Sequence, residues 1–155
     1  MPLPDDLLEQ AHLLATVDPT RPRQASLRRS ISTSYYALFH LLTGSAASNW
    51  KNRGQRLTFE RVFDHGRMAK ASGRIASQQF PNQDPHQVQH LRAVARTFSH
   101  LQDQRHTADY DGNKIWSRTE VLESVRLAEA AFISWRAVRK TKIAQDYLLQ
   151  FLVQR

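Results

Sequence analysis

Apolar residues recur along this chain at steps of three and four nearly from end to end, and strand-like alternation is missing. Such a chain can bury its apolar surface only by packing helices against one another. Leu27, Ile31, Tyr35, Leu38 and Leu42 step by 4, 4, 3 and 4, one unbroken stripe that predicts a helix from about Arg21 to Thr43, with Gly44 at its end. Val88, Leu91, Ala95 and Phe98 predict a second core helix from His86 to about Arg105. Val121, Val125, Ala128, Phe132 and Trp135 predict a third, opened by the Ser-x-x-Glu capping box of Ser117 and Glu120.

Shorter helices are expected at Asp5 to Val17, stopped before Asp18-Pro19, and at Ile143 to Val153. Trp50 to Ile75 reads as a less regular helical region interrupted near Gly54 and Gly66. Ala76 to Pro85 is a loop by composition, and Tyr110-Asp111-Gly112-Asn113 a turn. The expected fold is an all-α antiparallel bundle of four or more helices.

At 155 residues the chain fits one domain, with residues 1–19 as an acidic N-terminal helix and residues 139–155 as a helix appended to the bundle. The absence of cysteine rules out a disulfide, a thiolate zinc site and a cysteine nucleophile. The acidic start and the lack of a long apolar run argue against a secretory signal and a membrane span, so the expected location is cytoplasmic.

Net charge is +8, and its distribution is uneven. Residues 1–20 hold four acids and no base, whereas residues 21–80 hold eleven bases and two acids. A second basic cluster lies at Arg136, Arg139, Lys140 and Lys142. The balance points to a polyanion partner, RNA or DNA, or else to a solvated basic surface.

Two polar clusters can carry chemistry. Arg29, Thr33, Tyr36 and His40 fall at helical spacings beside the apolar stripe. With Arg28 adjacent, they suit either a phosphate-binding groove or a polar stripe satisfied by a neighbouring helix. Arg105-His106-Thr107-Ala108-Asp109-Tyr110-Asp111 is the densest polar stretch. An arginine beside an imidazole there can stabilise a phosphate and move a proton, and the plainer alternative is capping by Asp109 and Asp111 with an Arg105 ion pair. His86 and His90 have a metal-compatible spacing without a third ligand, and His65 and His100 have no deducible partner. No Gly-rich phosphate loop, nucleophile elbow or dinucleotide fingerprint is present, so no cofactor and no metal are expected.

The segment from Arg29 to His40, with Tyr35-Tyr36-Ala37 and Phe39-His40, resembles the YYA-x-FH helix of small prokaryotic HEPN-domain proteins. Arg105 to Asp111 resembles their R-x-x-A-D-Y stretch, and the likeness covers residues from about 20 to 138. The resemblance implies an all-α homodimer among RNA-acting toxins, phage-defence ribonucleases and partners of nucleotidyltransferases or antitoxins. In the active ribonucleases of that family a His follows an Arg after four to six residues, and two copies meet across the dimer to cut RNA without metal. Here Tyr110 stands where the first allowed His would be. A phenol with a pKa near 10 is a poor base at neutral pH, which leaves His106 as the nearer imidazole. The expected site is Arg105, His106 and Tyr110, with Arg28, Arg29, Tyr36 and His40 on nucleic acid. The alternatives are a non-catalytic dimerisation or partner-binding module and a sequence-tolerant basic nucleic-acid binder.

Overall fold

A computed structural model describes residues 2–153. Its α-helices are α1 (Leu3–Thr16), α2 (Gln24–Ser48), α3 (Arg56–Glu60), α4 (His65–Ser77), α5 (Pro85–Tyr110), α6 (Arg118–Val138) and α7 (Lys142–Gln150), with a 3-10 turn at Arg53–Gln55. No strand occurs among the described residues, and none of their helices is long and apolar enough to cross a membrane. The all-α bundle expected from the apolar periodicity is the fold observed.

Contacts between side chains fix the helix directions. Ser30 Oγ donates to the Ala11 carbonyl across the short α1–α2 connection, Tyr35 lies beside Phe98 and Arg28 reaches Ala108, and Gln104 meets Ser124 while His90 meets Ser134. Successive long helices α1, α2, α5 and α6 therefore run up, down, up and down. The apolar stripe of α2 sits at the centre, with Leu27, Ile31, Tyr35, Leu38 and Leu42 all fully buried. Short α4 lies antiparallel to α5, and α7 closes the core through Tyr147 and Phe151.

Two helices run about a turn past the end expected for them, while α2 begins later, at Gln24, and α7 stops earlier, at Gln150. Gly44 does not end α2, which continues to Ser48. A helical glycine costs about 1 kcal/mol relative to alanine, and burial of Ala46 and Ala47 in the added turn offsets it. Helix α5 likewise runs past Arg105 to Tyr110. The chain turns only at Asp111, whose carboxylate accepts the Asn113 N–H at 2.9 Å. The region from Trp50 to Ile75 is split into the 3-10 turn, α3 and α4. Asp64 opens α4 by accepting the Arg67 N–H at 3.0 Å. The capping box at Ser117 forms as its spacing predicts, with both reciprocal bonds present.

Candidate functional site

Extending α5 by a turn decides which way its polar residues face. Arg105 turns inward against α2, its guanidinium carbon 5.0 Å from the Tyr35 ring centre and 5.8 Å from that of Tyr36. Its side chain is 14% exposed and meets Asp109 at 3.5 Å, one turn along the same helix. Asp109 in turn accepts the Ser32 hydroxyl at 2.6 Å, which anchors the pair to α2. Arg105 Nε is buried without an acceptor among the described residues.

His65, the first residue of α4, enters the same cluster from the other side. Its ring stacks on Phe39 at 4.3 Å, meets Tyr36 edge-on at 6.2 Å, and holds the Tyr35 hydroxyl 2.5 Å from Nδ1. Gln102 reaches back from α5 to the His65 carbonyl. His40 stands edge-on to the same Phe39 ring at 5.4 Å. A cation, the His65 imidazole and a half-buried phenol, Tyr36, thus converge from α2, α4 and α5, with His40 at the edge of the group beside Phe39.

The proton arrangement follows from burial. Tyr35 is fully buried, and desolvation pushes its phenol well above the usual range, so it keeps its proton. When the imidazole is the Nε2–H tautomer, that proton is donated to Nδ1 of His65. A neutral imidazole accepting at Nδ1 carries its own proton on Nε2, which makes His65 a second donor beside Arg105. Burial, reinforced by the charge of Arg105 and by His40, holds His65 below the ordinary histidine range, against the pull of Asp64. Burial also lowers His40, opposed by Glu60.

A pH dependence follows with a definite sign. Histidines depressed in the folded state bind fewer protons than in the unfolded chain, so stability is fullest above about pH 6.5 and declines as pH falls toward the folded values. The urea midpoint is expected to drop between pH 7.5 and 5.5, before the carboxylates titrate, and the His40→Gln/His65→Gln double variant to flatten that slope. A wild-type midpoint that stays level or rises on acidification over this window contradicts the assignment.

The residues expected from the sequence divide between two faces. Tyr36 joins Arg105, and His40 lies beside Phe39, against which His65 stacks. His106 and Tyr110 stay on the solvent side of α5, paired with each other at 4.9 Å between ring centres, with Tyr110 72% exposed. Arg29 is exposed. Arg28 is drawn inward, donating to the carbonyls of Ala108 at 2.8 Å and Lys114 at 2.5 Å, where it ties α2 to the end of α5. His90 lies 3.1 Å from Ser134 Oγ, while His86 is exposed. Sequence reasoning missed the partnership of His65 and Tyr35. Asp64 as an N-cap was the one local signal placing His65 at the mouth of α4.

No protein-family model matches the chain, and no curated protein or solved structure is significantly similar to it. The fold and the cluster together define an all-α bundle with an arginine-centred, imidazole-flanked polar site.

Proposed function

We propose that this chain acts on RNA as a HEPN-like protein of the toxin–antitoxin or phage-defence kind, and that it cleaves RNA through the cluster around Arg105 rather than through Tyr110. The observation carrying the reading is the meeting of Arg105 and His65 at the half-buried Tyr36 ring, with His40 beside Phe39, the ring on which His65 stacks. RNA supplies its own nucleophile. The ribose 2′-oxygen attacks the adjacent phosphorus, the bond to the 5′-oxygen breaks, and a 2′,3′-cyclic phosphate and a 5′-hydroxyl result. His40 takes the 2′-hydroxyl proton, and water protonates the departing 5′-oxygen. Arg105 and the Nε2–H of His65 bear the charge that gathers on the phosphoryl oxygens. Tyr36 offers a face on which an unpaired base stacks. The net charge of +8 supports the approach of a polyanion.

The test is incubation of the purified protein with mixed cellular RNA at low salt with chelator present, followed by end-group analysis. Fragments ending in a 2′,3′-cyclic phosphate are the expected products. Intact RNA that is nevertheless bound, with affinity falling steeply between about 50 and 200 mM salt, would replace cleavage by binding alone. Neither cleavage nor binding would overturn the reading in favour of a protein-binding module.

A further inference from the structure

The α4–α5 loop and the first turns of α5 frame an open groove of about 570 Å³, remote from the cluster around Arg105. Its lining contains two guanidinium groups, Arg92 and Arg96, together with the Phe80 ring, three glutamine amides and two prolines, and no carboxylate. Arg92 lies over Phe80 at 5.7 Å and donates to the Gln78 carbonyl at 2.7 Å, while its Nε is buried without an acceptor among the described residues. Arg96, one turn further on, is exposed. The acid nearest in sequence, Asp84, is occupied as the cap of α5, accepting the His86 N–H at 2.8 Å.

We propose that this groove binds a nucleoside monophosphate unit, its phosphate on Arg92 and Arg96 and its base against Phe80. The size lies within the ordinary range for small-ligand sites. Two guanidiniums on one helix face match a phosphate in charge and hydrogen-bonding geometry. An aromatic ring extended by a guanidinium plane is a stacking platform for a base. Gln79, Gln83 and Gln89 each bring both donors and acceptors, as a base edge requires. Arg96 and Arg105 are nine residues apart on α5, about 13 Å along the axis and half a turn round it, so the groove is a separate site. The unit is either a free mononucleotide or one nucleotide of a single-stranded RNA.

The two sources are separated by titrating isotope-labelled protein with AMP, with ribose 5-phosphate and with a single-stranded RNA hexamer, following backbone amide shifts. Saturable shifts in residues 79–96 are expected, with ribose 5-phosphate at least about tenfold weaker than AMP. Arg96→Ala, at an exposed position, weakens AMP about tenfold. Phe80→Leu abolishes the preference for AMP over ribose 5-phosphate. Shifts with the hexamer but not with AMP assign the site to an RNA strand, and the converse to a free nucleotide. Equal binding of AMP and ribose 5-phosphate, shifts confined to residues 102–109, or no shifts at all overturn the proposal. Its failure leaves the reading of the Arg105 cluster standing.

Discussion

Arg105→Ala is expected to reduce RNA cleavage by about two to three orders of magnitude in kcat while the chain remains folded, as loss of a preorganised donor to a developing oxyanion does. Within the cluster Arg105 faces both tyrosine rings, and its charge reaches His65. Truncation removes that charge and the two cation–π contacts, each worth roughly 0.5–2 kcal/mol, together with an i, i+4 ion pair to Asp109 worth about 0.3–0.5 kcal/mol. The total, about 1.3–4.5 kcal/mol, stays below the roughly 5–15 kcal/mol of a domain, so the variant is expected to remain folded. Arg105→Lys keeps the charge and loses the planar fork that lies across the rings, so it should restore RNA binding without restoring rate. Tyr110→Phe is the discriminating control, because that phenol is exposed and outside the cluster. If Tyr110→Phe abolishes cleavage and Arg105→Ala leaves it intact in a folded protein, the chemistry belongs to the exposed face of α5 and the assignment falls.

The helical content and the core were legible because burial imposes a period that the sequence cannot hide. The α2 stripe from Leu27 to Leu42 is fully buried residue by residue, and the Ser117 box needs only three residues of context to form. Helix ends were less legible. Gly44 and the polar run after Arg105 both carry local signals for stopping, and both are overridden by packing of the next turn, Ala46 and Ala47 in one case and Ala108 in the other. That override is what separated Arg105 from Tyr110. Residues five apart on a helix lie about 140° apart around its axis, so an inward arginine leaves the tyrosine on the solvent side.

The cluster itself was half legible. Arg105, Tyr36 and His40 carry visible spacing, whereas His65 reaches Tyr35 across thirty residues, through a segment broken into three short elements. No local pattern encodes that pairing, because it depends on how α4 is laid against α2 and α5. His65 thus reaches the cluster from another helix, outside the Arg105-x-x-x-x-Tyr110 stretch.

Trp135→Ala is expected to cost about 3–5 kcal/mol, the largest stability loss among single substitutions considered for this chain. Trp135 is fully buried in α6, and its indole N–H donates to Ser45 Oγ at 2.9 Å. That hydroxyl passes its own proton to the Leu41 carbonyl at 2.8 Å, and the indole meets Tyr147 of α7 edge-on at 6.3 Å. One side chain therefore joins α6, α2 and α7. Ser45→Ala removes the indole's acceptor without opening a large cavity and should cost about 1–3 kcal/mol. Ile133→Ala, two residues away and 70% exposed, should cost about 0.5 kcal/mol or less. At roughly 2–4 °C per kcal/mol for a chain this long, Trp135→Ala lowers Tm by roughly 6–20 °C. Ser45 lies ten residues along α2 from Tyr35, about 15 Å by helical rise, so this joint is distinct from the polar cluster. Below its lowered Tm the Trp135→Ala protein should retain the pH dependence of stability that His40 and His65 produce. Equal urea midpoints for Trp135→Ala and Ile133→Ala would show that α6 does not bear the core in the way its buried face indicates.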